Sequence, residues 1–154
     1  MGNKKVKIFN NLRNLLIKDS PITLPLPVAQ GRVKEEWIDY NGHMNMAYYV
    51  QCFEESSDYL LEIINLGYEY AIKQQKGVFV IKCEINYKRE IKIDEYFNIN
   101  LKSIECKGKK LIVDFSMTND DGVEFADYRI INLNIDLKNK KSIPFDPDII
   151  SQLS

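Results

Sequence analysis

Residues 37–45 read Trp-Ile-Asp-Tyr-Asn-Gly-His-Met-Asn and bring a carboxylate, a glycine and the chain's single histidine into one short segment. Asp39 can act as a general base toward water or attack an electrophilic carbon itself. Gly42 permits a sharp turn and lets a substrate come close to the backbone. His43 can orient Asp39 or Asn45 or polarise a carbonyl, and it serves equally well as a hydrogen-bonded structural residue. Asn45 carries no titrating proton and suits a helix cap. A helix starting there directs the backbone N–H groups of Asn45 and Met46, and the positive end of its dipole, at a developing negative charge. A carboxylate beside such donors is the equipment of acyl transfer, in which an oxyanion must be held. Without that chemistry, Asp-Tyr-Asn-Gly is an ordinary Asx-turn and cap.

The elements that must position these groups follow from periodicity. Residues 31–38 make a strand that delivers Asp39 to the turn. After it, Met46, Tyr49, Val50, Phe53, Ser57, Leu60, Leu61 and Ile64 recur at helical spacing, while Glu54, Glu55, Asp58 and Glu62 mark a wet face. Asn45 caps this helix, and Gly67 is placed to end it in a left-handed conformation. A short helical turn around Tyr70–Gln75 comes next. The period then changes to two. Phe79, Ile81, Cys83, Ile85 and Tyr87 form one alternating face, Phe97, Ile99 and Leu101 a second, Leu111, Val113, Phe115 and Met117 a third, and residues 128–137 a last strand. Lys107-Gly108-Lys109 and Asp120-Asp121-Gly122 are the turns between them, and the lysines of the first, with Lys110, read first as a solvated hairpin. One long helix followed by four strands predicts an α+β fold, an antiparallel sheet wrapped around a central helix.

Ahead of this region, Ile8, Leu12, Leu15 and Leu16 share a helical face, so residues 5–18 read as a short docking helix or a frayed tail. Residues 22–27 then read as an extended, proline-rich linker. The expected organisation is an N-terminal extension over 1–30, one domain over 31–145 and a C-terminal tail over 146–154.

Bulk properties narrow the function. The 154 residues are 45% hydrophobic and 28% charged, with a formal net charge of -1, the balance of a globular domain without the basic footprint of a nucleic-acid or anionic-membrane partner. No segment approaches the roughly 20 apolar residues that span a bilayer, and no secretory signal is visible. Cys52, Cys83 and Cys106 lack the spacing of a zinc site or redox pair, so reduced thiols in a cytoplasmic protein are expected.

Asp39 and Gly42 resemble the Asp-x-x-Gly signature of hot-dog-fold acyl-CoA thioesterases. The longer run from Trp37 to Asn45, continued by Ala47-Tyr48-Tyr49, Tyr87, Glu90 and Pro144-Phe145, is most similar to the betainyl-CoA branch linked to carnitine metabolism. The resemblance implies hydrolysis of a short or polar acyl-CoA, with Asp39 as base or nucleophile and the helix-start amides as oxyanion hole. Trp37, Asn41, Gly42, Tyr48, Tyr49, Glu84, Tyr87 and Arg89 fall where it implies contacts to substrate. It implies no metal or redox cofactor, coenzyme A entering as part of the substrate, and a homodimer or tetramer of edge-joined sheets. This chain departs from the branch in having Glu84 where a histidine is usual, and Arg129 and Asn134 where an acidic residue and a histidine are expected. A carboxylate at position 84 suits a cationic acyl group, with Trp37 or the tyrosines as its aromatic face. Release from an acyl-carrier protein, and a non-catalytic acyl-CoA-binding module, use the same framework.

Overall fold

A computed structural model describes residues 11–153. In chain order the elements are β1 (Arg13–Asn14), β2 (Leu26–Arg32), a 3-10 turn (Glu35–Trp37), α1 (Met46–Ile63), α2 (Tyr68–Gln74), β3 (Lys76–Tyr87), β4 (Tyr96–Lys107), β5 (Lys110–Thr118), β6 (Glu124–Asp136), β7 (Lys141–Ser142) and α3 (Pro147–Leu153). All strand pairs are antiparallel, and the sheet runs β1-β2-β4-β5-β6-β3 with β7 beside the end of β6.

The core lies between α1 and one face of this curled sheet. Phe97, Ile99 and Leu101 of β4, Leu111, Val113, Phe115 and Met117 of β5, and Ala126, Tyr128 and Ile130 of β6 are all buried, as their alternation requires. From α1 come Tyr49, Cys52, Phe53, Ser56, Ser57 and Leu60. Phe53 stacks on Tyr128 at 5.0 Å between ring centroids and lies 6.4 Å from Phe115. Fully buried, it contributes about 1.5–3 kcal/mol of transfer free energy. This is the predicted α+β architecture.

Several local expectations are corrected. Residues 11–18 are not helical: Arg13–Asn14 pair with β2, and Leu12 is buried on the body. The remainder of the expected helix, including Ile8, lies outside the described residues. Gly31 explains the docking of Leu12, because a Cβ there would come within 2.6 Å of the Leu12 side chain and 2.5 Å of Phe97. The strand before the turn is Leu26–Arg32 instead of 31–38, so Leu26 and Pro27 belong to the sheet and not to the linker. Residues 35–37 turn in a 3-10 helix that tucks Trp37 under α1. Helix α1 ends at Ile63 with the left-handed residue at Asn65 (φ 63°), whereas Gly67 has φ -96° and opens α2. Asparagine is the usual alternative to glycine in that conformation. Glu55 is buried and not solvated. Its Oε1 accepts from the Asn11 N–H, the Leu12 N–H and the Tyr59 hydroxyl, which pins the N-terminal segment to α1. Burial raises its pKa.

Candidate active site

The turn carrying Asp39 is closed by backbone bonds on both sides. Ile38 and Met44 form an antiparallel bridge, the Asp39 N–H donates to His43 O at 2.9 Å, and the Gly42 N–H donates to Asp39 O at 3.0 Å. Asp39 Oδ1 accepts from the Asn41 N–H at 2.9 Å and from the His43 N–H at 3.4 Å. Oδ2 has no hydrogen-bond partner among the described residues. Gly42 has φ +79°, and a Cβ there would meet nothing within 4 Å. Its backbone conformation, not crowding, demands glycine.

The helix start follows directly. Asn45 Oδ1 accepts from the Ala47 N–H at 3.0 Å, as a cap should. The Asn45 N–H is not free for an oxyanion, because it donates to Trp37 O at 2.8 Å. The donors left at this end are the Met46 N–H, which as the first helical amide has no intrahelical acceptor, and Asn45 Nδ2. Trp37 therefore acts through its carbonyl. Its ring is 3% exposed, stacked on Tyr48 at 5.6 Å and tilted against Phe97 at 6.4 Å, so it offers no face to a cationic acyl group. Asn41 is exposed at the tip of the turn.

The His43 ring makes no hydrogen bond to Asp39 or Asn45 among the described residues. Its Nε2 lies 3.1 Å from Glu90 Oε1 in the loop after β3. That contact ties the two ends of the site together and was legible only as an isolated match at Glu90. The Tyr87 hydroxyl donates to Met46 O at 3.3 Å, and its ring meets Tyr49 edge-on at 5.1 Å. Tyr49 is 5% exposed, and burial pushes its phenol up to about 12. Arg89 is exposed and forms no ion pair among the described residues.

Two turns along α1, Glu54 Oε1 accepts from the Tyr128 hydroxyl at 2.6 Å on the inner side of β6. Burial first, and then Glu54, push Tyr128 up. Asp58 follows one turn later. Burial, with Glu54, Glu55 and Glu62 nearby, raises it to about 6. The acidic positions of α1 had read as a wet face, yet Glu54 looks inward. Glu84 does the opposite of its expected role. It pairs in register with Arg129 on the outer face of the sheet, where Arg129 grips Asp114 at 2.8 and 3.1 Å beside Ser103. These residues line a shallow cavity of about 450 Å³ on this outer face, to whose wall Tyr128 also contributes. Alternation along β3 puts Tyr87 inside and Glu84 outside. Asn134, also a departure, is a buried structural residue bonded to the Tyr70 hydroxyl and Pro144 O.

Among the described residues no group of three or more His, Cys, Asp or Glu side chains could hold a metal ion, and no helix is long and apolar enough to cross a membrane.

A curled antiparallel sheet around one long helix, with a carboxylate turn at the helix start, defines a hot-dog domain. The chain belongs to the thioesterase-like superfamily, whose model matches residues 33–153. It is 27% identical over 131 residues to an L-carnitine dehydrogenase/betainyl-CoA thioesterase of Rhizobium meliloti, covering 84% of this chain and 26% of that protein. It is 24% identical over 122 residues to a betainyl-CoA thioesterase of Pseudomonas aeruginosa, covering 79% of this chain and 77% of that protein. The chain thus spans about a quarter of the length of the two-activity relatives it matches. A Staphylococcus aureus protein solved in complex with CoA has the same fold, with a TM-score of 0.76 and 20% identity over 87% of this chain and 85% of the other. A DHNA-CoA thioesterase from the same organism aligns at a TM-score of 0.68 and 17% identity, over 80% and 85% of the two chains.

Proposed function

We propose that this chain hydrolyses acyl-CoA thioesters to the free acid and CoA. The observation that carries the reading is the pairing of an available Asp39 Oδ2 with the uncommitted Met46 N–H at the positive end of α1. In this reading the thioester carbonyl oxygen rests at the Met46 N–H, with Asn45 Nδ2 as a second donor, while Asp39 either deprotonates water or attacks the carbonyl carbon. The helix dipole and the donors stabilise the oxyanion that forms. Collapse of the oxyanion restores the carbonyl and expels CoA thiolate, which leaves the free acid where water attacked, or an acyl–Asp39 anhydride that a water then hydrolyses where Asp39 attacked. His43 is a positioning residue, holding the loop after β3 against the turn through Glu90.

For the acyl group we favour a small cationic one. The relatives named as betainyl-CoA thioesterases support this, as do the inward carboxylate of Glu54 and the ring of Tyr87, which is 40% exposed, whereas Tyr49 and Tyr128 are as buried as Trp37. Glu84 has no part in it. The acting unit is a homodimer joined through the β3 edge, which has no strand beside it among the described residues and where Phe79, Val80, Ile81 and Tyr87 are exposed. Free thiols at Cys52, Cys83 and Cys106 support a reducing, cytoplasmic setting.

The test is thiol release from a panel of acyl-CoAs that includes betainyl-CoA, with wild type and Asp39→Asn compared directly. Turnover by wild type that falls at least about 100-fold in the variant is expected. Binding of the esters without turnover by wild type would overturn catalysis, and equal kcat/KM for betainyl-CoA and neutral short esters would overturn the cationic preference.

A further inference from the structure

Trp37 is the chain's one tryptophan, and its peptide is fixed on both sides. Its N–H donates to Lys34 O at 3.0 Å, and its carbonyl accepts from the Asn45 N–H at 2.8 Å. Whatever moves this peptide therefore moves Asn45, the residue directly before the proposed oxyanion donor, the Met46 N–H. The Trp37 ring is stacked on Tyr48 and tilted against Phe97. Lys34 Nζ lies over the same ring, 5.5 Å from its centroid, at the distance of a cation–π contact.

The N-terminal segment reaches two of these neighbours. Asn11 Oδ1 accepts from Lys34 Nζ at 2.7 Å. Leu12 and Phe97 together fill the space over Gly31, where a Cβ would come within 2.6 Å of one and 2.5 Å of the other. Lys34 forms no ion pair within 4.0 Å among the described residues, so its ammonium is placed by Asn11 and the Trp37 ring and not by a carboxylate. The segment itself is anchored away from the site. Glu55 Oε1 accepts from the N–H groups of Asn11 and Leu12, Arg13 and Asn14 pair with β2, and the Leu15 N–H donates to Val28 O at 2.9 Å. One polar route, through Lys34, and one apolar route, through Phe97, thus run from a fixed segment to Trp37 and on to the start of α1.

We propose that residues 11–16 are a strap that positions the oxyanion donor, with Lys34 as the positioning residue that transmits its hold to Trp37. The inference rests on the hydrolase reading above and adds to it a part of the chain remote from Asp39. With Asn11 in place, Lys34 stays against the ring and the Trp37 carbonyl keeps the Asn45 N–H. Without it, the ammonium turns to solvent, the ring loses one wall, and the backbone at Asn45 and Met46 drifts. A displacement of about 1 Å at a reacting centre can cost about 100-fold in rate. The loss falls on kcat and not on KM, because the donor matters most once the oxyanion has formed.

The experiment uses the full chain and the acyl-CoA that wild type turns over fastest. Asn11→Ala, Lys34→Met, Lys34→Arg and the double variant Asn11→Ala/Lys34→Met are compared for kcat, KM and acrylamide quenching of tryptophan fluorescence, which reports Trp37 alone. Asn11→Ala and Lys34→Met should each lower kcat about five- to tenfold with KM within about twofold of wild type, and each should red-shift and expose the Trp37 emission. The double variant should lose no more than the larger single loss, since both changes break one contact. Lys34→Arg, which keeps a charged donor for the single acceptor at Asn11, should recover most of the rate. Folded variants that keep wild-type kcat, or losses that multiply in the double variant, would overturn the strap, as would a fall in kcat with Trp37 quenching unchanged. A wild type that hydrolyses no ester would overturn the hydrolase reading and the strap's part in the rate, and the quenching alone then decides whether the strap holds Trp37.

Discussion

At the scale of single residues, the site turns on which polar atoms are already committed. Asp39 uses Oδ1 to hold its own turn and keeps Oδ2 available. Asn45 uses its N–H on Trp37 and its Oδ1 on Ala47, leaving its amide nitrogen and the Met46 N–H. Asn45→Ala removes the cap, for which a loss of about 1 kcal/mol of stability is expected in denaturant titration, together with a larger proportional loss of kcat than of KM. Gly42→Ala places a Cβ on a backbone with φ +79°, so a moderate fall in melting temperature and a severe fall in kcat are expected as the turn re-forms elsewhere. Asp58 gives a pH-dependent prediction. Its folded pKa, about 6, lies above the ordinary aspartate value, so the folded state prefers it protonated and stability is lost as pH rises through that range. Asp58→Asn should raise the melting temperature at pH 7.5, and the gain should vanish as pH falls below the ordinary aspartate pKa; a gain that is the same at pH 3.5 would contradict this assignment.

At the scale of elements, α1 both carries the proposed oxyanion donors and holds the N-terminal segment. The capped start and the Phe53 stack on Tyr128 set where the helix sits on the sheet, and Glu55 then anchors residues 11 and 12. Glu55→Ala strips the acceptor from two backbone N–H groups and the Tyr59 hydroxyl. A destabilisation of about 1–3 kcal/mol is expected, with faster hydrogen exchange at Leu12 and β1 but unchanged exchange in β5. Uniform acceleration across the sheet would show that the anchor is not local. The long helix and the strands β3 to β6 were legible because their periods of 3.6 and 2 persist over many residues. Strand β2 was misplaced because Pro25 just before it and Pro27 within it read as a linker, while the 3-10 turn at Glu35–Trp37 looked like its continuation.

At the scale of the whole molecule, one sheet edge is guarded and the other is open among the described residues. The β2 edge carries β1 and the buried Leu12, whereas β3 ends in exposed apolar side chains. Ile81→Glu puts a charge into that edge, so sedimentation velocity should shift toward monomer and acyl-CoA turnover should fall with it; full activity in a stable monomer would contradict a dimeric acting unit.

The local identity of the site was contained in the sequence. Asp39, Gly42 and Asn45 lie within seven residues of one another, so a turn and a cap bring them together whatever the rest of the chain does. Everything that depends on distant segments waited for the tertiary structure. The contact of His43 with Glu90, the donation of Tyr87 to Met46 O, and the inward turn of Glu54 onto Tyr128 join positions 41 to 74 residues apart, and no local period encodes such separations. The side taken by Glu84 was decided the same way. Alternation shows that it opposes Cys83 and Ile85, but only the packing of α1 on the sheet determines which side is the inside.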